Sequence, residues 1–192
     1  APLWELAEVD RYATMSIQFS RGCPFNCDFC NVTALLGHRP RTKSAAQILT
    51  ELDGLYARGW RGGVFFVDDN LIGNKKALQR EILPALIEWR KGKVGMTFNT
   101  EASINLADDP ELVDLMVAAG FRQVFVGIET PDEESLAECN KAQNRGRDLV
   151  QDVKTDDTIL LDDGLIRLQV LSVDRDTVNC RVVNGGYLKE NK

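Results

Sequence analysis

Three cysteines, Cys23, Cys27 and Cys30, stand at spacings of four and three residues, directly after the pair Arg21-Gly22. Thiolates this close in the chain serve a shared metal or a redox pair. Cys27-x-x-Cys30 taken alone reads as a thioredoxin-like pair or as half a zinc site, and adding His38 makes a Cys3His zinc set. The full triplet also suffices for three irons of a cubane cluster. A cluster held by protein alone wants a fourth cysteine, and none lies near. One iron then stays open to a small chelating molecule, which turns an electron-transfer device into a catalytic one. Cys139 and Cys180 stand far from the triplet and read as small packing residues. Acceptors fall at other points where apolar runs end: Asp68-Asp69-Asn70, Asn99, Glu101 and Glu129. Carboxylates and amide oxygens there bind an ammonium or vicinal hydroxyls, and each also reads as a helix cap or part of a solvated loop. Arg39, Arg41 and Lys43 form a basic cluster that suits a carboxylate, a phosphate or a solvated face.

The elements that must position these residues alternate short apolar runs with longer amphipathic stretches from Thr14 to about Val126, which predicts βα units and a parallel sheet. Thr14 to Ser20 reads as one strand, and Ser44 caps a helix with Ala45, Ile48, Leu49, Leu52 and Leu55 on one face, ended by Gly59. Val64 to Val67 is the next strand. Asn74 starts a second helix, which Pro84 kinks or splits, because proline removes an internal hydrogen bond and clashes with the preceding turn. Met96 to Asn99 gives a third strand, Asp109-Pro110 opens a helix closed by Gly120, and Gln123 to Val126 gives a fourth strand. Thr130-Pro131-Asp132-Glu133 combines an N-cap, a proline at the first helical position and a capping-box acid, predicting a further helix. The expected fold is α/β, a partial (β/α) barrel of about four βα units. At 192 residues the chain is short of the roughly 250 of a full eight-fold barrel. The three cysteines follow the first strand, so they sit at the C-terminal end of a strand, where barrel enzymes gather their chemistry.

After about Val150 the pattern changes to strict alternation. Ile159 to Leu161 meets Leu165 to Leu171 across Asp162-Asp163-Gly164, a hairpin signal. A polar turn at Asp174-Arg175-Asp176 leads to a strand from Thr177 to Val183, ended by Asn184-Gly185-Gly186, so residues 151–192 are expected to form a small antiparallel meander. A net charge of −6, from 23 basic and 29 acidic residues, argues against a broad nucleic-acid surface. No apolar run has the length of a membrane span, and clustered thiols point to a reducing compartment, so a cytoplasmic protein is expected.

The triplet, Phe29 before its last cysteine, and the strand-loop-helix setting resemble the radical S-adenosylmethionine (SAM) superfamily. Pro40-Arg41-Thr42-Lys43, Val67 through Asn74, Asn99 through Ser103, and Gly127-Ile128-Glu129-Thr130-Pro131 are similar to its branch with an upstream cobalamin-binding domain. The resemblance covers about residues 5–150, a radical SAM core within a domain 1–150. It implies that Cys23, Cys27 and Cys30 ligate a 4Fe-4S cluster and that the amino and carboxylate groups of SAM chelate the fourth iron. It further implies reductive cleavage of SAM for radical or methyl-transfer chemistry, cobalamin in the full-length relative, and an electron donor such as flavodoxin or ferredoxin. Phe29, Asp68, Asp69, Asn70, Asn99, Glu101 and Glu129 are the residues it implies for cosubstrate binding, with Glu129 for the ribose hydroxyls. Asp68-Asp69-Asn70 departs from the Gly-Gly-Glu-like segment usual for the superfamily after the second strand.

Superfamily barrels have six βα units, against four visible here. Residues 155–192 resemble instead part of the lid domain of pyruvate kinase, without that family's catalytic residues. This predicts a junction between about 148 and 156, whether a natural fusion, an engineered chimera or an artefact of assembly, with impaired activity and self-association through an open barrel edge.

Overall fold

Four strands alternate with helices, and each return to the sheet lays down a strand parallel to the last. The computed structural model describes residues 1–162, 164–175 and 177–187. The chain divides into two units, Ala1–Ile128 with Ala137–Asn144, and Glu129–Leu136 with Arg145–Lys192. The first unit carries β1 (Thr14–Ile17), β2 (Ser20–Arg21), α1 (Val32–Leu36), β3 (Arg41–Thr42), α2 (Ala45–Ala57), β4 (Gly63–Phe66), α3 (Lys75–Ala77), α4 (Leu83–Arg90), β5 (Thr97–Glu101), α5 (Pro110–Ala119) and β6 (Phe121–Phe125).

The parallel sheet runs β1-β4-β5-β6. This sequential order, with right-handed crossovers, sends every connecting helix to the same face, which is the plan of a barrel wall and not of a doubly wound sheet. Met15, Val64 and Phe98 lie in one cross-strand row of the packed face, and Ile17, Phe66 and Thr100 in the next. All six are buried, and the rings of Phe66, Phe98 and Phe121 meet with centroids 5.0 to 5.5 Å apart. From the helices, Ile48, Leu52, Leu55, Leu83, Leu86 and Leu112 complete this core.

Helix starts follow their local signals. Ser44 and Gln47 form a reciprocal capping box at α2. The Asp109 carboxylate accepts from the Leu112 N–H, with Pro110 at the first helical position and Gly120 closing α5 at φ 102°. The helix expected to start at Asn74 and to be kinked or split by Pro84 runs as three segments, with its regular α pattern interrupted directly before Pro84. Asn74 caps α3, a wide π turn spans Leu78–Ile82, and α4 follows with Pro84 in its first turn, so the looser π turn takes up the place where the proline has no N–H to donate.

Several boundaries differ from the sequence expectation, among them the end of β5, which runs on from Asn99 to Glu101. The first strand stops at Ile17 and the chain leaves the sheet, with Ser20 and Arg21 pairing antiparallel to Thr42 and Arg41; the cause lies in Asp68, described below. The fourth strand begins at Phe121, immediately after Gly120, two residues ahead of Gln123. Thr130 does not cap the next helix: α6 (Glu133–Glu138) is capped by Asp132, whose carboxylate accepts from the Ser135 N–H at 2.7 Å, while the Thr130 hydroxyl accepts from the Asp132 N–H at 3.1 Å.

The second unit contains α7 (Leu149–Asp152) and the expected meander, β7 (Thr158–Leu161), β8 (Ile166–Val173) and β9 (Val178–Asn184), all antiparallel. Leu161 pairs with Ile166 across the hairpin, and Asp162 and Gly164 both adopt positive φ. Asp163 of that turn, Asp176 of the next and residues 188–192 of the tail lie outside the described residues. Within this unit Ile166 and Val170 are buried, whereas Leu160, Leu171, Val182 and Val183 are exposed. Among the described residues no helix is long and apolar enough to cross a membrane.

Candidate functional site

The cysteine loop occupies residues 22–40, and the β2–β3 ladder pins both of its ends. The Cys23 N–H donates to Gly37 O at 3.3 Å and the Lys43 N–H to Phe19 O at 2.8 Å, closing the loop on itself. Gly22 sits at φ 104°, and a Cβ there would come within 2.8 Å of Gly37 O, so the entry to the loop requires glycine.

Asp68 anchors this loop to the sheet. Its carboxylate is 1% exposed and accepts from the Phe19 N–H at 2.9 Å, from the Ser20 hydroxyl at 2.6 Å and from the Ser20 N–H. The Phe19 N–H would otherwise continue the β1 ladder beyond the bond from Val67 N–H to Ile17 O, which is why the strand stops at Ile17. Burial pushes the Asp68 carboxyl above its ordinary range, although the donors from Ser20 and Phe19 oppose it and the nearby Asp69 charge adds to it. A carboxylate so engaged holds strand ends together and has little left for a ligand.

Asn70 makes a second tie. Its amide nitrogen donates to the Ser103 hydroxyl at 3.0 Å and its oxygen accepts from the Ser103 N–H at 3.1 Å, linking the tips of β4 and β5. Burial pushes the Cys23 thiol up. Backbone hydrogen bonding at Phe25 and the Asn70 side chain counter this, and the charges of Cys27 and Cys30 raise it further.

All three thiols are half-buried and unbridged. Among the described residues no three His, Cys, Asp or Glu side chains gather closely enough for a single metal ion. A cubane differs, because it spreads its thiolates over separate irons. The Cys3His zinc reading finds no support, and His38 is exposed on the loop.

The remaining acceptors divide by position. Asp69 and Glu101 are exposed at the tips of β4 and β5; burial, and then the Asp69 charge, raise the Glu101 carboxyl. Asn99 is half-buried on the face of the sheet opposite the helices, in a row with Ser16, Phe65 and Gln123. Glu129, exposed and at φ 66°, belongs to the second unit. Phe29 is 56% exposed. In the basic cluster Lys43 is committed to Glu51, with Nζ–Oε1 at 2.6 Å, while Arg39 and Arg41 are exposed.

Sequence reasoning missed the segment that backs the loop. The Asp28 N–H donates to Cys139 O at 3.0 Å, the Asn140 amide to Asn26 O at 2.8 Å, and the Gln143 amide to the Cys27 sulfur at 3.4 Å. The Lys141 ammonium lies 5.4 Å from the centroid of the Phe29 ring. Of these residues the sequence singles out Cys139 alone, as a packing residue, and its contribution is a carbonyl. No spacing rule reaches contacts 116 residues apart.

A parallel wall of sequential βα units, with a three-cysteine loop leaving the C-terminal end of its first strand, defines a barrel-type fold with a thiol-bearing loop at its strand ends. The family model of the radical SAM superfamily matches residues 17–154, and the chain belongs to that superfamily. It is 54% identical over 153 residues to an uncharacterized methyltransferase of Synechocystis sp. (79% of this chain, 28% of that protein). It is 42% identical over 178 residues to the hopanoid C-2 methylase of Rhodopseudomonas palustris (92% of this chain, 33% of that protein). The solved structure of the radical S-adenosylmethionine methyltransferase TsrM from Kitasatospora setae, bound to cobalamin and a [4Fe-4S] cluster, superposes with a TM-score of 0.56 at 23% identity, over 64% of this chain and 24% of that one. The chain spans about a third or less of the curated relatives' lengths. The hopanoid methylase match takes in 92% of the chain, so it continues past 148–156 into the tail. The junction expected there, and the pyruvate kinase lid resemblance, find no support.

Proposed function

We propose that this chain is part of the core of a radical SAM methyltransferase, in which Cys23, Cys27 and Cys30 each ligate one iron of a 4Fe-4S cluster and leave the fourth iron to SAM. The observation that carries this reading is the placement of three half-buried, unbridged thiols on one loop that is closed by its own backbone and leaves the C-terminal end of β1. When bound, the cluster supplies single electrons to the sulfonium cosubstrate. The chain's own residues hold and orient. Asp68 and Asn70 fix the loop against β4 and β5, Asp69 and Glu101 offer carboxylates to the cosubstrate ammonium, Asn99 offers its amide, and exposed Phe29 covers the adenosyl side. Glu129 takes the ribose hydroxyls. Methylation is favoured over other radical chemistry by the names of the relatives. Cobalamin, held by another part of the full-length protein, is the methyl carrier in this reading, and a flavodoxin or ferredoxin the electron donor. Residues 1–150 then form the core, with the meander of 151–192 following it.

Anaerobic reconstitution with iron and sulfide tests this. A brown protein with about four irons per chain is expected, with the colour lost in Cys27→Ala. One zinc per chain and no inorganic sulfide would overturn it.

A further inference from the structure

The structure assigns Gln143 as the residue that orients the Cys27 sulfur and shifts the reduction equilibrium of the cluster held there, an inference that rests on the iron–sulfur reading above. Gln143 and Cys27 meet in two ways: amide nitrogen to sulfur at 3.4 Å, and thiol to amide oxygen at 4.0 Å. A thiol can both donate and accept, weakly. A thiolate only accepts. The shorter contact, with the amide N–H as donor and the sulfur as acceptor, is the one a ligating sulfur would keep.

The amide is held in place by its neighbours. On one side the Cys139 carbonyl and the Asn140 amide bond the backbone of Asp28 and Asn26, the residues flanking Cys27. On the other, Asn144 is 2% exposed, and its amide nitrogen donates to Gly127 O at 3.0 Å and Ile128 O at 2.8 Å. The 3-10 turn Ala142–Asn144 thus carries Gln143 between two anchored positions, one at the cysteine loop and one after β6. Gln143 is neutral, so it acts through its N–H dipole. A dipole aimed at a ligand sulfur stabilises the more negative, reduced cluster more than the oxidised one, and hydrogen bonds to the sulfurs are among the determinants of cluster potential.

The test is a redox titration of the reconstituted full chain with dithionite, followed by electron paramagnetic resonance, on the wild type, Gln143→Leu and Gln143→Glu. Leucine fills similar space without a donor. Glutamate keeps the shape and turns a carboxylate toward the sulfur. The expected order of potentials is wild type highest, then leucine, then glutamate. Gln143→Leu should shift the reduction equilibrium toward the oxidised form by about tenfold, which is about 59 mV for a one-electron couple. Iron and sulfide content should be equal in all three. If one variant fails to hold a cluster, the other decides by the same direction of shift. Equal potentials in cluster-loaded proteins would overturn the assignment while leaving the iron–sulfur reading intact. A wild type that binds no iron and sulfide would overturn both.

Discussion

The two faces of the parallel sheet are built from alternate residues of the same strands, yet they have opposite characters. Toward the helices, Met15, Ile17, Val64, Phe66, Phe98 and Thr100 are buried. Toward the other side, Ser16, Gln18, Phe65, Val67, Asn99, Glu101, Gln123 and Phe125 are half-buried or exposed, a mixture of amides, a carboxylate and two aromatic rings. Stability is concentrated on one face, and groups able to bind a ligand line the other. The alternation runs on past the end of β4. Asp68 and Asn70 share the parity of Val64 and Phe66 and are buried ties, whereas Asp69 shares that of Phe65 and is exposed. Three adjacent polar residues therefore do two different jobs, decided by which side of the sheet each one faces.

Neighbouring phenylalanines give the sharpest test of that contrast. Phe66→Ala removes a ring from the Phe66–Phe98–Phe121 cluster and should cost about 3–5 kcal/mol in denaturant unfolding. Phe65→Ala, one residue away on the open face, should cost about 1 kcal/mol or less. Equal losses would erase the distinction between the faces. Asp68→Ala leaves the buried Phe19 and Ser20 donors without their acceptor and should destabilise by about 1–3 kcal/mol, with slowed cluster assembly as the loop loses its tie to β4. Gly22→Ala places a side chain at positive φ against the Gly37 carbonyl. It should cost more than about 1 kcal/mol and sharply lower iron uptake, read by iron content beside far-ultraviolet circular dichroism that stays native.

The smallest effect concerns pH. Asp68 and Glu101 both have folded-state values above their ordinary ones, in each case mainly through burial and further through the Asp69 charge. A carboxyl that binds its proton more tightly when folded contributes stability that is full below the ordinary carboxylate range and declines as pH rises through the raised value. Glu101→Gln removes one such group. The melting temperature of this variant should fall less steeply than the wild type's from the ordinary carboxylate range upward. An unchanged slope would show that the open-face carboxylate is as well solvated as in the unfolded chain.

Much of the scaffold was legible because its signals are local. Ser44 with Gln47, Asn74 with Ala77, and Asp109-Pro110 with Gly120 all act within a few turns of chain, and each helix begins where they place it. The hairpins of the tail follow from alternation and turn residues in the same way. The misplacements occur where a distant group competes with the local one. Thr14 to Ser20 has the look of one strand, but Asp68 takes two of its backbone donors from 49 and 48 residues away. The Thr130-Pro131 signal fails for a closer reason, since Asp132 offers a carboxylate two residues later and caps the helix instead.

The order of the elements, the starts of the main helices, and the spacing of three thiols after the first strand were determined by the sequence itself, because apolar period, capping chemistry and ligand spacing are properties of neighbouring residues. Tertiary structure alone decided that Asp68 and Asn70 are ties while Asp69 is free to face solvent, and that Gln143 reaches Cys27. Those roles depend on hydrogen bonds between segments that only folding brings together, and a buried donor or acceptor takes whichever partner the packed chain presents to it.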